Sequence, residues 1–134
     1  MKTHIGLNVT DLQKSIDFYS RLFGEKPVKE KPAYAKFSPS IAELNFTLNA
    51  VQRVGGNQVG HFGLQIETPE TLLNHKIRIE AAGMNIREEE NTVCCYALQD
   101  KFWVTDPDGN EWELFYTKDD NPEPGYKNGT CCAV

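Results

Sequence analysis

No stretch of the 134-residue chain approaches the roughly 18 consecutive apolar residues that a membrane-spanning helix needs, so a transmembrane protein is not expected. The opening MKTHIGLNVTDLQ has one lysine and no long apolar run, and so does not read as a signal peptide. Positive charge is in short supply. Fourteen lysines and arginines face 19 acidic residues, a formal net charge of -5, with the acidic residues spread along the chain. That balance excludes the basic footprint that nucleic acid or an anionic membrane requires and leaves a small molecule as the expected partner. Cysteine is sparse, at four residues, and without an export signal it does not suggest a disulfide scaffold. The expected compartment is the cytoplasm, where thiols stay reduced and are catalytic, metal-binding or inert. The length suits one domain with a real core.

The cysteines fall in two adjacent couples, Cys94-Cys95 and Cys131-Cys132. A second pattern is an internal repeat. HIGLNVTDLQKSI from His4 and HFGLQIETPETLL from His61 share His-x-Gly-Leu-x-apolar followed by a helix start. Both openings alternate as strands, with Ile5, Leu7 and Val9 on one face of the first and Phe62, Leu64 and Ile66 on one face of the second. His4, Gly6, Asn8 and His61, Gly63, Gln65 occupy the opposite faces. A helix follows each strand. Thr10 with Gln13 reads as a capping box, Leu12, Ile16, Tyr19 and Phe23 as the apolar stripe, and Gly24 as the stop. Thr68-Pro69 opens the second helix, whose expected stripe is Leu73, Ile77 and Ala81, with Gly83 ending it.

Shorter strands are expected at Tyr34 to Phe37, Ala42 to Asn49, Asn85 to Glu88, Cys94 to Gln99, Phe102 to Val104 and Glu111 to Tyr116. Asp106-Pro107-Asp108-Gly109-Asn110 is the turn before the last of these, and Val54-Gly55-Gly56-Asn57-Gln58 is the linker between halves. The expected fold class is α+β: two tandem βαβββ units forming a curved mixed β-sheet cup with helices outside. One domain would cover residues 1–118, with repeat units at about 1–52 and 58–118, followed by a flexible Cys-containing tail at 119–134. In EWELFY, Trp112, Leu114 and Tyr116 alternate with Glu111, Glu113 and Phe115, and this parity puts Glu113 on the histidine face. Two imidazoles and a carboxylate with open coordination positions are the pattern of non-haem Fe(II) sites, although the residue types alone also suit Zn, Ni or Mn. Glu43 is a candidate fourth ligand, because it stands at roughly the place in the first unit that Glu113 holds in the second. For Glu43, and for Asn45 on the same face, a supporting or solvated role is the preferred reading over ligation, and His75 on the second helix reads as solvated.

With His4, His61 and the DPDGNEWELFY ending, the chain from about Lys2 to Tyr116 resembles the vicinal oxygen chelate superfamily, the glyoxalase, bleomycin-resistance and dioxygenase group. This resemblance implies that His4, His61 and Glu113 are metal ligands and catalytic residues. Within the superfamily, TVCCYALQDKFWVTDPDGNEWELFY is similar to the carbon-arsenic lyases, Fe(II)-dependent dioxygenases acting on trivalent organoarsenicals. That similarity implies Fe(II) as cofactor, O2 as co-substrate, and Cys94 and Cys95 as substrate-binding residues. Chemistry agrees: thiolates are soft ligands and the triad is harder, so the thiols would hold arsenic and the triad the metal. A monosubstituted arsenical such as methylarsonous acid has two exchangeable oxygen groups, one per cysteine. In a regular strand the two cysteines would point to opposite faces, so a loop or bulge near Asn91-Thr92 is expected, with the pair in a loop that closes on substrate. Cys131 and Cys132 are possible accessory thiols. Tyr96, Gln99, Lys101 and Trp103 read either as pocket residues or as ordinary strand packing. Competing readings are a glyoxalase-like or fosfomycin-modifying metalloenzyme and a non-catalytic module that binds arsenicals or soft metals through thiols. Both monomer and homodimer fit the sequence.

Overall fold

The computed structural model describes residues 2–56, 59–94 and 96–130. Cys95, Cys131 and Cys132, and the linker residues Asn57 and Gln58, lie outside the described residues. The chain divides into two compact units, Met1–Gln58 with Asp106–Asn110, and Val59–Thr105 with Glu111–Val134. The first contains β1 (Thr3–Val9), α1 (Leu12–Phe23), β2 (Lys29–Lys31), β3 (Tyr34–Phe37) and β4 (Leu44–Ala50). The second contains β5 (Phe62–Gln65), α2 (Pro69–Ala81), β6 (Arg87–Cys94), β7 (Ala97–Thr105), β8 (Glu111–Asp119) and a short β9 (Lys127–Asn128). Each unit is therefore strand, helix, three strands, as the repeat implies, with the short β9 added in the second, and the fold class is α+β.

The two sheets share one connectivity. In the first unit the strand order is β1-β4-β3-β2, with β1 parallel to β4 and the other pairs antiparallel. In the second it is β5-β8-β7-β6, with β5 parallel to β8, and β9 added parallel to β6 at the edge. A parallel pair needs a long crossover, and the helix after the first strand of each unit lies in that crossover.

The helix ends follow local chemistry. α1 is capped by Asp11, whose side chain accepts the Lys14 amide, rather than by Thr10. Thr10 instead donates its hydroxyl to Asp108 Oδ1 at 2.5 Å and its amide to Oδ2, so the expected capping box is displaced by one residue. Gly24 stops the helix in the left-handed region at φ 72°, where only glycine sits without a Cβ penalty. α2 begins as the sequence indicates, with Thr68 accepting the Thr71 amide and Pro69 in the first turn. Its buried side is different. Leu72 and Ile79 are buried, whereas Leu73, Ile77 and Ala81 are exposed. Between Leu72 and Ile79 the inward positions are the half-buried His75 and Lys76. Lys76 is ion-paired with Glu88 of β6, a contact that an apolar-periodicity count does not register.

The first core is an aromatic cluster. Tyr19 and Phe23 of α1 pack on Phe37 and Phe46, with ring centroids 4.7–6.4 Å apart, and such pairs contribute about 0.5–1.5 kcal/mol each beyond area burial. Tyr19 donates its hydroxyl to Asp106 Oδ2 at 2.6 Å, while Asp106 Oδ1 accepts the amides of Asp108 and Asn110. The Asp-Pro-Asp-Gly-Asn turn is thereby anchored in the first core. In the second unit Phe102, Val104, Trp112 and Leu114 are buried on one face of the sheet, and α2 packs on β8.

Two strand expectations change. Phe102–Val104 lies within one long strand, β7, and the expected strand Cys94 to Gln99 is divided between two: β6 ends at Cys94, and Ala97 to Gln99 begin β7. The segment after Lys118 has no apolar period, yet Lys127–Asn128 pairs with Thr92–Val93, and the Gly129 amide bonds to the Val93 carbonyl. Backbone pairing needs no side-chain period, so this contact left no trace in the sequence pattern.

Candidate metal centre

His61 stands immediately before β5, and Glu113 lies on β8 opposite Gly63. His61 Nε2 is 3.5 Å from Glu113 Oε1. The carboxylate is buried, with 6% of the residue exposed, in space that a side chain at position 63 would fill: a Cβ there would stand 3.0 Å from Glu113 Cγ and 3.3 Å from Oε1. The His-x-Gly spacing of the repeat thus has a steric reason in this unit. Glu113 Oε2 accepts from Lys101 Nζ at 2.7 Å. The His61 ring meets the face of Trp103 edge-on at 5.4 Å, and Trp103 Nε1 donates to Glu89 Oε1 at 3.0 Å.

In the first unit, His4 is exposed on β1 and its Nδ1 bonds to the Asn45 carbonyl at 3.1 Å. A carbonyl can only accept, so Nδ1 carries the proton and Nε2 keeps its lone pair for a ligand role, an arrangement that ordinary metal-bound histidines share. Glu43 does not occupy the position equivalent to Glu113. In the second unit Gly63 pairs with Glu113, and in the first Gly6 pairs with Thr47. Thr47 is therefore the counterpart, while Glu43 is exposed before β4. Asn45 is half-buried, and its Oδ1 is among the buried polar atoms with no partner. Among the described residues no group of three or more His, Cys, Asp or Glu is gathered as a metal site; His61 and Glu113 are brought together as a pair.

A β-bulge orients Cys94. Arg87, Glu88 and Glu89 of β6 oppose Trp103, Phe102 and Lys101 of β7, but Thr92, Val93 and Cys94 oppose Gln99, Leu98 and Ala97. One extra residue is accommodated between Glu89 and Thr92, where Asn91 takes a positive φ of 49° and its amide bonds to Asp100 Oδ1. An extra residue exchanges the faces of everything beyond it. Cys94 consequently shares the face of Gln99, Lys101, Trp103 and Glu113 and is 2% exposed. Without the bulge it would point away. Tyr96 in the turn has φ 67° and is exposed.

One expectation fails at Cys94. It is disulfide-bonded rather than a reduced thiol. The chain before Cys131 lies alongside: a Cβ on Gly129 would stand 3.6 Å from Cys94 Cβ, and Thr130 bonds through its amide and hydroxyl to Glu89. Burial by itself would raise the Glu89 carboxyl, but these hydrogen bonds, that from Trp103 and the charge of Arg87 outweigh it and hold the carboxyl below the ordinary value. His75 is not merely solvated. Arg78 donates to its Nδ1 at 3.1 Å, and burial, then the Arg78 charge, lower its pKa.

The residues sequence reading underrated are Lys101, Gly63 and Thr47, whereas the bulge at Asn91 falls where one was expected. The signal for Lys101 was present: in ALQDKFWVT it shares parity with Gln99 and Trp103, a lysine within a strand buried on both sides.

Comparison with known proteins places these features in a family. Residues 3–114 match the model of the Glyoxalase/Bleomycin resistance protein/Dioxygenase superfamily. The chain is 58% identical over 130 residues, 96% of this chain and 81% of the other, to a trivalent organoarsenical cleaving enzyme of Bacillus sp. strain MD1. It is 54% identical over 131 residues, 98% of this chain and 90% of the other, to a probable trivalent organoarsenical cleaving enzyme of Bacillus subtilis strain 168. A glyoxalase/bleomycin resistance protein/dioxygenase from Alicyclobacillus acidocaldarius has the same fold, with TM-score 0.71 and 18% identity over 90% of this chain and 93% of the other.

Proposed function

The chain belongs to the glyoxalase/bleomycin resistance protein/dioxygenase superfamily, and from that premise we propose that it is an enzyme that cleaves the carbon-arsenic bond of trivalent organoarsenicals, using Fe(II) and O2 and releasing arsenite. The observation that carries this reading is 58% identity over nearly the whole chain with a trivalent organoarsenical cleaving enzyme. The second unit supplies fitting chemistry on one face of one sheet, a soft cysteine donor at Cys94 and the harder His61 and Glu113 pair.

The donor set suits a divalent cation. Neighbouring ligand atoms each about 2.1 Å from a shared ion lie about 3 Å apart at right angles, close to the 3.5 Å between His61 Nε2 and Glu113 Oε1. In this reading His61, Glu113 and His4 would hold the metal, which would supply activation of O2. Cys94 and Cys95 replace the two exchangeable oxygen groups of the arsenical, leaving the As-C bond as its remaining substituent. Fixing the arsenic in this way converts a bimolecular encounter into an oriented one. For methylarsonous acid the atoms balance as CH3As(OH)2 + O2 giving HCHO + As(OH)3. The disulfide at Cys94 must first be reduced by a thiol donor, because thiolates and not disulfides bind the arsenic. Lys101 holds the carboxylate of Glu113, and Trp103 backs the imidazole of His61.

The test is arsenite release from methylarsonous acid by reduced, Fe(II)-loaded protein, with and without oxygen, alongside Cys94→Ser and His61→Ala. Oxygen-dependent release that both substitutions abolish is the expected result. Tight arsenical binding without release, unchanged in His61→Ala, would instead make the protein a thiol-based arsenical binder.

A further inference from the structure

Lys101 is unusual for its position. Its side chain is 0% exposed, and lysine is almost never fully buried unless paired, because desolvating an ammonium costs several kcal/mol. Here Nζ lies 2.7 Å from Glu113 Oε2 and 5.5 and 5.6 Å from the ring centroids of Trp103 and Phe115. A carboxylate oxygen and two aromatic faces lie beside the charge. Such a pair is poor value for stability, since apolar side chains of similar volume serve a core as well or better. Its effect on the carboxylate is specific: Oε2 is occupied by the ammonium, and Oε1 alone faces His61 Nε2.

We propose that Lys101 is a positioning residue that restricts Glu113 to a single donor oxygen and so keeps one coordination position of the metal open. The inference rests on the metal-binding part of the proposed function and goes beyond it. A carboxylate bound through one oxygen fills a single position of a six-coordinate ion, whereas a carboxylate bound through both oxygens fills two. The open position is the one a co-substrate would need. The nearby ammonium also repels a dication, so Lys101 holds the site open at some expense of metal affinity. A lysine serving only to fill the core would have neither effect.

The test compares wild type with Lys101→Met, which keeps volume and loses charge, and Lys101→Arg, which keeps a donor. Co(II) affinity is measured by titration calorimetry. The open position is read anaerobically from the electron paramagnetic resonance signal of the nitric oxide adduct of the Fe(II)-loaded proteins. In Lys101→Met the adduct should fall several-fold while Co(II) binds about tenfold more tightly, the direction Coulomb repulsion dictates; Lys101→Arg should keep the adduct. An adduct in Lys101→Met within about twofold of wild type overturns the proposal, whatever the Co(II) result. If Lys101→Met does not fold, the Co(II)-loaded wild-type structure decides: one-oxygen ligation by Glu113 with Oε2 on Lys101 supports it, and two-oxygen ligation or no ligation by Glu113 overturns it. None of these readouts uses an arsenical, so an inactive protein with the expected coordination would refute the proposed reaction and leave this inference standing.

Discussion

Replacing Gly63 by alanine should disable the Glu113 site while barely disturbing the sheet. The new Cβ would stand 3.0 Å from Glu113 Cγ, 3.3 Å from Oε1 and 3.4 Å from Phe115 Cε1. The carboxylate has to give way by several tenths of an ångström, and it cannot move freely because Oε2 is held by Lys101 at 2.7 Å. Gly63 is not among the positive-φ glycines, so alanine adds no backbone strain and should contribute about 0.4–1 kcal/mol by restricting the unfolded chain. Overpacking costs about 1–3 kcal/mol. The net expectation is about 1 kcal/mol of destabilisation, a fall in Tm of about 3–5 °C for a chain of this size. Metal affinity should suffer more, with Co(II) binding about tenfold weaker, equivalent to ~1.4 kcal/mol. Gly6→Ala is the matched control from the equivalent repeat position. Among the described residues its Cβ meets nothing nearer than Thr47 Oγ1 at 3.4 Å and Asn49 Nδ2 at 3.9 Å, so stability should be equal to wild type or higher. Calorimetry on the three proteins with Co(II), together with thermal unfolding, decides the matter. Undiminished Co(II) affinity in Gly63→Ala, or an equal loss of stability in Gly6→Ala, would refute the steric reasoning.

Other consequences can be checked separately. Protein handled without reductant should bind no arsenical through Cys94, and reduction should restore binding; intact-protein mass spectrometry of the adducts reads this directly. Deleting Asn91 should remove the bulge and turn Cys94 to the opposite face, so that after reduction its alkylation by a maleimide becomes faster than in wild type; an unchanged rate would argue against bulge control of its orientation. Glu89 has a depressed carboxyl pKa, so its contribution to stability is complete above the unfolded-state value and is lost as pH falls through the lower folded-state value. Glu89→Gln should accordingly flatten the acid limb of a Tm-against-pH curve and loosen Thr130, seen as faster proteolysis after Lys127. On α2, Leu72→Ala and Ile79→Ala should each cost about 2–5 kcal/mol, whereas Leu73→Ser and Ile77→Ser should stay within about 0.5 kcal/mol, as denaturant unfolding will report.

The sequence by itself determined the duplicated βαβββ plan, because the repeat at His4 and His61, the Thr68-Pro69 start and the Gly24 stop are local signals that act within a few residues. It also identified the residue types from which a metal and thiol site could be made, and the parity that puts Glu113 and Gly63 on one face. Register was beyond it. Only strand pairing makes Thr47, rather than Glu43, the counterpart of Glu113, since loop lengths differ between the halves. Only the bulge at Asn91 brings Cys94 to the face of Lys101 and Glu113, because one extra residue reverses a strand without altering its composition. The buried side of α2 depended on tertiary packing as well, which buries Leu72 and Ile79 and leaves Leu73 and Ile77 exposed. Lys101 shows the same division. Its identity and parity were legible, but that it gives up solvent to hold one oxygen of Glu113 follows from the two strands being neighbours in space, a fact that no local pattern carries.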